Sequence, residues 1–310
     1  MQAETPGRDP LLIAILGPTG SGKTAFAERL ADEIGAQLIN ADAFQVYRGF
    51  TIGTAKPRRV REYELIDILD PSESFGVGDW VRRSSEVLRR LHAENRSAVF
   101  VGGTGFYIRA LFERYEEMSP EPEESVRQGL MEREKSDGLA ALVEELRQKA
   151  PQIASQIDLR NPVRVRRALE KLATPAEKLD VKYPTFRSLK VGISPTVSEL
   201  DRILAVRCDT MIAEGWIEEV RAILATGLSM GAPAWRAIGY YTLVELIEGR
   251  IELDEARKQI ILLTRQYAKR QRTWLRSEPN LEIVNLSGFS EAEVEGAWSE
   301  IQGHVSRLIE

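Results

Sequence analysis

Cysteine and histidine are almost absent from this chain. Cys208 is the only cysteine among 310 residues, which excludes an intrachain disulfide and a cysteine-cluster zinc site. The two histidines, His92 and His304, are too few for a histidine-rich metal centre. The net charge is only −5, which argues weakly against nucleic acid, because a whole-chain sum can conceal a basic face.

Long apolar runs are missing as well. No stretch approaches the roughly 18 residues that a membrane-spanning helix needs. The N-terminal segment MQAETPGRDP has no basic head followed by an apolar segment, as a secretory signal would. We therefore expect a cytoplasmic protein with no membrane partner. The length allows one large domain or two modest ones around a substantial core.

Short apolar runs alternate with helical patterns along much of the chain. Buried strands that alternate with helices predict an α/β fold, in which a parallel sheet is flanked by helices. The six candidate strands are LLIAIL (11–16), QLIN (37–40), ELIDIL (64–69), AVFVGG (98–103), LKVGI (189–193) and LEIVNL (281–286).

The alternation stops in the middle of the chain. Residues 113–125 are acidic and carry two prolines, which predicts a linker leaving the core. From there to about Pro184 the pattern is helical without a convincing strand. We therefore expect a core from 1–119 and 185–310 and a helical insertion subdomain from 120–184. A long helical stretch at 197–277 precedes the last strand.

The strongest motif joins the first strand to the first helix. Gly17, Gly22, Lys23 and Thr24 satisfy G-x-x-x-x-G-K-[ST] in the strand-to-helix setting that the motif requires. Glycines let backbone N–H groups converge on phosphate oxygens, Lys23 adds a charge, and the Thr24 hydroxyl suits Mg²⁺. A plain glycine-rich turn is the alternative. The motif predicts a P-loop NTPase-like core whose diphosphate site comprises Gly17, Pro18, Thr19, Gly20, Ser21, Gly22, Lys23 and Thr24.

Two further strand ends lie where a parallel sheet binds its ligands. Asp42 follows the second strand and is a candidate general base or hydrogen-bond acceptor, although it could instead cap a following helix. A P-loop kinase commonly has an Mg²⁺-binding aspartate after a strand such as AVFVGG. Here GGTGFY (102–107) follows instead. This segment favours close approach of a large ligand over metal binding, and a plain glycine turn is the alternative.

Arg207 shares a helical face with apolar residues. It lies seven, three and four positions from Leu200, Leu204 and Met211. An inward-facing arginine needs an anionic partner, and a diphosphate would serve. The alternative is a packed stem whose charged head reaches water.

Two segments predict basic helix faces without acidic residues on them. In the first, Arg164, Arg167 and Lys171 share one face, and Val165, Leu169 and Leu172 another. In the second, Arg265, Lys269, Arg272 and Arg276 form a stripe roughly opposite Ile260, Leu263, Tyr267 and Trp274. Such surfaces bind phosphate backbones, so both favour RNA over the alternative of a solvated face.

Taken together, these segments resemble the tRNA dimethylallyltransferases, also called tRNA isopentenyltransferases, over nearly the whole chain. The resemblance rests on GPTGSGKT, DAFQVYRGFTIGTAKP, LIDILDP, VGGTGFY, NPVRVRRALE, RAIGYY and RQYAKRQRTWLR, in the family's order. It implies Mg²⁺-dependent transfer of a dimethylallyl group from its diphosphate to N6 of adenosine-37 in tRNA, beside the anticodon. The chain departs from the family's usual sequence in four places. Ala43 stands where serine is usual, the segment 57–64 is shorter than usual, and LATPAEK and GYY replace the family's common residues.

The resemblance also implies roles for individual residues. Residues 17–24 would bind the prenyl diphosphate, with Lys23 catalytic and Thr24 on Mg²⁺. Asp42 would accept the proton of the adenine amine, and Arg207 would hold the leaving diphosphate. The insertion would hold the anticodon stem of one tRNA on a monomeric enzyme. The tRNA-facing residues would be Asp42, Ala43, Phe44, Gln45, Thr104, Arg127, Val163, Arg164, Val165, Arg166, Arg167, Arg236, Ala237, Ile238, Gly239, Tyr240, Tyr241, Lys269, Arg270, Gln271, Arg272, Thr273, Trp274, Leu275 and Arg276.

Three alternatives stay open at this point. A P-loop kinase of a small acceptor would explain the phosphate loop and Asp42 but not the basic faces. A prenyltransferase of free adenine nucleotides would not need the insertion. A catalytically impaired RNA-binding relative would fit the departures from the family.

Overall fold

The structure is a computed structural model that describes residues 9–115, 117–118, 124–174, 177–178 and 181–310. Its contacts define two compact units. The first comprises Met1–Ser74, Arg83–Glu113 and Lys182–Glu310, and the second comprises Phe75–Arg82 and Arg114–Val181. No helix within the described ranges is both long and apolar enough to cross a membrane.

The first unit is built on a parallel six-stranded sheet, which confirms the predicted α/β class. The strands of the described residues are, in chain order, β1 (Leu11–Leu16), β2 (Gln37–Asn40), β3 (Tyr63–Glu64), β4 (Ala98–Gly102), β5 (Glu117–Met118), β6 (Glu177–Lys178), β7 (Arg187–Pro195) and β8 (Leu281–Leu286). The six-stranded sheet has the order β3-β2-β4-β1-β7-β8, and β5 and β6 form a separate sheet. All six residues of β1 are buried, as expected for a central strand that is covered on both faces.

Eleven helices are present in the described parts of the chain. They are α1 (Lys23–Ile34), α2 (Val77–Ala93), α3 (Gly105–Phe112), α4 (Glu124–Lys149), α5 (Pro151–Gln156), α6 (Pro162–Ala173), α7 (Val197–Ala213), α8 (Trp216–Ala225), α9 (Tyr240–Ile247), α10 (Leu253–Leu275) and α11 (Glu291–Ile309). The sequence pattern did not predict α11. Its Trp298 and Ile301 pack with Leu30 of α1 and with Val191 and Val284 of the sheet.

The third predicted strand is wrong over most of its length. Only Tyr63–Glu64 pairs with β2, whereas ELIDIL predicted a strand through Leu69. Leu65 and Asp67 adopt left-handed φ angles of 63° and 55°, which are incompatible with a continuous strand. Lys56 pairs with Asp67 and donates to the Tyr47 carbonyl at 2.6 Å, so the irregular segment is held by side chains.

The second unit is mainly helical, but the expectation that it contains no strand is wrong. Short antiparallel strands β5 and β6 pair with each other. Its core contains Leu142, Leu146, Val165 and Leu169 from α4 and α6. Leu172, predicted on the buried face, is 40% exposed at the end of α6. The sequence also gave no sign that residues 75–82 belong with this unit.

Candidate active site

The phosphate loop joins β1 to α1. Gly20 and Gly22 have φ angles of 82° and 76°, which favour glycine. Ser21 N–H donates to the Pro18 carbonyl at 3.1 Å, and Thr19 N–H donates to Gln271 Oε1 at 2.8 Å. In contrast, the backbone N–H groups of four residues make no hydrogen bond with any described residue: Gly20, Gly22, Lys23 and Thr24. The Lys23 ammonium donates to the Pro18 carbonyl at 3.4 Å. Unpaired amides at a helix N-terminus form an anion site.

Ser21 does not fit its predicted role in diphosphate binding. Its side chain is fully buried, and a Cβ added at Gly17 would lie 2.5 Å from its hydroxyl oxygen. The hydroxyl therefore lies beneath the loop, and its backbone N–H is already bonded to Pro18. Ser21 shapes the loop, while neighbouring amides remain open to a ligand.

Two cations reach the same cavity as the loop. Burial, and to a lesser extent the charge of Arg207, lower the pKa of Lys23 to about 8, although the charge of Asp42 opposes the shift. Burial likewise lowers the pKa of Arg207, again opposed by Asp42. The Arg207 guanidinium makes no hydrogen bond or ion pair with a described residue. Both cations thus occupy a setting that favours a bound anion.

Asp42 is fixed at the end of β2. Its Oδ1 accepts from Phe44 N–H at 2.9 Å, and its own N–H donates to Asn40 Oδ1 at 3.0 Å. Asn40 also donates to the Leu65 carbonyl at 3.0 Å. No helix begins at Asp42, so the helix-cap alternative is wrong. Oδ2 has no partner among the described residues and is open to accept a proton.

One cavity of about 270 Å³ brings these groups together at the carboxyl ends of the strands. Lys23, Thr24, Asp42 and Arg207 all line it, as the sequence predicted. A mainly apolar part of the wall is formed by Leu204, Cys208, Met211, Trp216, Ile238 and Ile260. Arg236, Arg270 and Tyr267 also border the cavity. The cavity therefore offers both cationic groups for an anion and apolar surface for a hydrocarbon group.

Sequence reasoning missed the groups that hold the loop 51–55 at this cavity. Glu219 accepts from the N–H groups of Thr51 and Ile52 at 3.0 and 2.8 Å, and from the Tyr240 hydroxyl at 2.6 Å. Trp216 packs so close to Gly53 that a Cβ there would lie 2.2 Å from its Nε1. No motif in the sequence points to either residue, because both act on backbone that is distant along the chain.

The glycines at and just after the end of β4 lie against other protein atoms. A Cβ at Gly102 would lie 2.1 Å from the Ala41 carbonyl oxygen, and one at Gly103 would lie 2.0 Å from Gln271 Nε2. A Cβ at Gly105 would lie 2.2 Å from the Trp274 ring. Gly102 also lines the cavity, so close approach of a large ligand to this turn stays a prediction. Thr104 lies in the same turn, and its Oγ1 accepts from Ala43 N–H at 3.2 Å.

The predicted tRNA-facing set divides by burial. Exposed members are Val163, Arg164, Arg236, Tyr241, Lys269, Arg270, Thr273 and Arg276. Partly buried members are Asp42, Ala43, Phe44, Gln45, Thr104, Arg127, Arg166, Arg167, Ile238, Arg272 and Trp274. The remaining six members are buried: Val165, Ala237, Gly239, Tyr240, Gln271 and Leu275. Ala237 and Gln271 nevertheless line the cavity, so burial contradicts a surface contact only for Val165, Gly239, Tyr240 and Leu275. Consecutive helix residues point in different directions, so a continuous segment cannot face one partner.

The basic faces also differ from their predicted patterns. Arg166 pairs with Glu134 at 2.6 Å, Arg167 with Glu170 at 3.1 Å, and Arg127 with Glu170 at 3.6 Å. In α10, Leu263 is 41% exposed rather than buried. The side chains of Lys269, Arg272 and Arg276 make no ion pair with a described residue.

The parallel sheet, the phosphate loop between β1 and α1, and the cavity at the strand ends define a P-loop protein of the α/β class. The IPP transferase family matches residues 45–278, and the Isopentenyl transferase family matches residues 10–66. The chain belongs to the IPP transferase family, as its resemblance to the tRNA dimethylallyltransferases predicted.

Relatives and solved structures agree with this assignment. A tRNA dimethylallyltransferase of Geobacter sulfurreducens is 38% identical over 290 residues, covering 90% of this chain and 93% of that protein. Another from Acaryochloris marina is 34% identical over 310 residues, covering 96% and 98%. The solved tRNA isopentenylpyrophosphate transferase of Bacillus halodurans is 31% identical with a TM-score of 0.68, covering 97% and 98%. A eukaryotic dimethylallyltransferase structure, 20% identical with a TM-score of 0.73 over 97% of this chain and 80% of that one, shares the fold.

Proposed function

We propose that the protein transfers a dimethylallyl group from dimethylallyl diphosphate to N6 of adenosine-37 in tRNA, releasing diphosphate. The observation that carries the proposal is the single cavity that is lined together by Lys23 and Thr24 of the phosphate loop, by Arg207 and by Asp42. The relatives named as tRNA dimethylallyltransferases support it, because they match this chain over nearly its whole length.

The arrangement suits a reaction with a poor nucleophile and a good leaving group. The bond between the allylic carbon and the diphosphate oxygen breaks, and its electrons stay on the diphosphate. The loop amides, Lys23 and Arg207 stabilise that developing charge. The N6 nitrogen forms the new bond to the carbon, and its proton passes to Asp42. The apolar wall shields the prenyl carbons from water.

The residues present fit a magnesium ion that is held largely by the substrate. Thr24 lines the cavity next to Lys23, and its hydroxyl would be the protein ligand. The described residues contain no group of three His, Cys, Asp or Glu side chains able to hold a metal. Mg²⁺ commonly binds through substrate phosphates and waters with few protein ligands. When bound, it would neutralise charge on the diphosphate.

Two basic surfaces support tRNA as the acceptor. The first is the α10 stripe, which we define as Lys269, Arg272 and Arg276. The second is the exposed face of α6 that carries Arg164. We propose that they bind the phosphate backbone of the anticodon stem-loop, with the second unit acting as the insertion that holds the stem. One protein monomer binds one tRNA, and the target adenine leaves the base stack to enter the cavity.

The test is mass spectrometry of tRNA nucleosides after incubation with the protein, Mg²⁺ and dimethylallyl diphosphate. We expect N6-(dimethylallyl)adenosine in tRNA, and no product from AMP offered as the acceptor. Thermal protection by dimethylallyl diphosphate rather than ATP separates this function from a small-molecule kinase. Binding of tRNA without any prenylated nucleoside would contradict the proposal and leave an RNA-binding relative.

A further inference from the structure

Gln271 joins two parts of the cavity wall through one side chain. It lies in α10 and is 7% exposed. Its Oε1 accepts from Thr19 N–H at 2.8 Å, and its Nε2 donates to the Gly103 carbonyl at 3.0 Å. This approach requires glycine at 103, since a Cβ there would lie 2.0 Å from Nε2. The carboxamide thus bonds to the phosphate loop and to the turn after β4 together.

The two segments that Gln271 connects carry different groups of the site. Thr19 belongs to the phosphate loop, whose next residues carry the unpaired amides. Gly103 precedes Thr104, which accepts from Ala43 N–H beside Asp42. The chain of contacts therefore runs from the diphosphate side, through Gln271, to the carboxylate side.

Only a carboxamide satisfies both partners at this position. Thr19 N–H needs an acceptor, and the Gly103 carbonyl needs a donor. A glutamate would keep the acceptor but present a second oxygen to the Gly103 carbonyl, and a methionine would supply neither bond. Buried polar groups left without partners are costly, so either substitution should shift the loop relative to the turn.

We propose that Gln271 is a positioning residue for the transfer reaction: it sets the loop amides that bind the diphosphate at a fixed distance from Asp42. It acts through Thr19 and Gly103. The catalytic part of this inference rests on the proposed function. The part that concerns binding of a diphosphate by the loop stands on the two hydrogen bonds alone.

The test compares Gln271→Met and Gln271→Glu with Gln266→Met, an exposed glutamine in the same helix. Calorimetry measures pyrophosphate affinity, filter binding measures tRNA affinity, and steady-state assays give kcat and KM for dimethylallyl diphosphate. We expect Gln271→Met to weaken pyrophosphate binding and to lower kcat by about tenfold each, as loss of ordinary hydrogen bonds allows. Gln271→Glu should bind pyrophosphate more weakly still, because it adds a negative charge. Affinity for tRNA should stay within about twofold in all three variants, and Gln266→Met should match the wild type throughout.

Two results would overturn the inference. One is wild-type pyrophosphate affinity and kcat in Gln271→Met. The other is a loss of activity that follows only the folded fraction, with pyrophosphate affinity per folded molecule unchanged, which would make Gln271 merely structural. The pyrophosphate measurement also separates this inference from the proposed function. A wild-type protein that fails to prenylate tRNA would remove the proposed function, while the effect of Gln271→Met on pyrophosphate would still test the loop.

Discussion

The cavity and the α10 stripe use the same residue types in opposite physical settings. Lys23 and Arg207 have lowered pKa values because burial disfavours their charges. Lys269 and Arg276 are exposed. Charges in a low-dielectric cavity interact strongly and are screened little by salt, whereas exposed charges are screened within about 10 Å. We therefore expect the cavity cations to affect the reaction itself, and the stripe to contribute tRNA affinity that depends on salt.

A second contrast separates the stripe from α6. Arg166 and Arg167 each have an acidic partner, one from α4 and one from the next turn of α6. In α10, Arg265 pairs with Asp201 at 3.1 Å, while the three residues of the stripe have no ion pair among the described residues. Each predicted basic face thus has one arginine in an ion pair, Arg167 in α6 and Arg265 in α10. Among the described residues, three cations stay without an ion pair in α10, against Arg164 and Lys171 in α6.

The largest effect is expected from Asp42→Ala. Removal of a general base costs about 10²- to 10⁴-fold, so kcat should fall by about 10³-fold. Affinity for tRNA should change little, because α10 and α6 provide the phosphate contacts. Asp32→Ala is the control, since Asp32 forms an exposed pair with Arg59. A variant of Asp42 that keeps most of its rate would show that another group takes the proton.

Arg207→Met should have the next largest effect. It keeps much of the side-chain volume but removes a charge aimed at the leaving group, which costs about 10²-fold in kcat/KM. The same change at Lys269 should leave the rate with saturating tRNA near that of the wild type. Salt titration sharpens the contrast, because the Arg207→Met defect should persist at high salt. Equal losses of rate in Arg207→Met and Lys269→Met would contradict the expected difference between cavity cations and surface cations.

The pH dependence of pyrophosphate binding tests Lys23. Its pKa of about 8 in the ligand-free protein means that charge is lost as pH rises through 8, whereas binding requires the charged form. Affinity for pyrophosphate should fall by up to about tenfold per pH unit above 8, and Lys23→Met should remove this part of the pH dependence. The folded pKa lies below the ordinary 10.5, so the unfolded chain binds more protons between these values. The contribution of Lys23 to the free energy of unfolding therefore increases from pH 8 to 10.5.

The smallest effects concern the surfaces. Arg272→Ala and Lys269→Ala should each weaken tRNA binding modestly and lower the slope of log K against log salt by about 1. Arg166→Ala should change the slope less, because Glu134 already neutralises that charge. Filter binding at several salt concentrations measures all three. Identical slopes for Arg272→Ala and the wild type would show that the stripe is a solvated face that does not bind tRNA phosphates.

The sequence predicted those parts of the site that local pattern determines. A phosphate loop has fixed spacing, so Lys23 and Thr24 could be placed directly. Asp42 followed from the position of strand ends in a parallel sheet, and Arg207 from its helical spacing to Leu200 and Leu204. All four line one cavity, while their roles in catalysis stay predictions.

The features of the fold and of the site that the sequence did not predict depend on contacts between segments far apart in sequence. Gln271 falls within a basic segment, and only its bonds to Thr19 and Gly103 reveal that it faces inward. Leu263 has the spacing of a core residue but is exposed. The apolar run 64–69 is interrupted by positive φ angles at Leu65 and Asp67, which hydrophobic pattern alone does not encode. Periodicity predicts which residues prefer burial, while tertiary packing decides which of them are buried.

Because Glu219 holds the loop 51–55 through backbone groups, the side chains of that loop can vary in sequence. The carboxylate binds the main-chain N–H groups of Thr51 and Ile52, which nearly every amino acid possesses. Exchanges of those two side chains therefore leave the path of the loop unaltered as long as the glutamate is retained. The side chains at positions 51 and 52 can therefore vary in evolution without a change in the backbone of this loop.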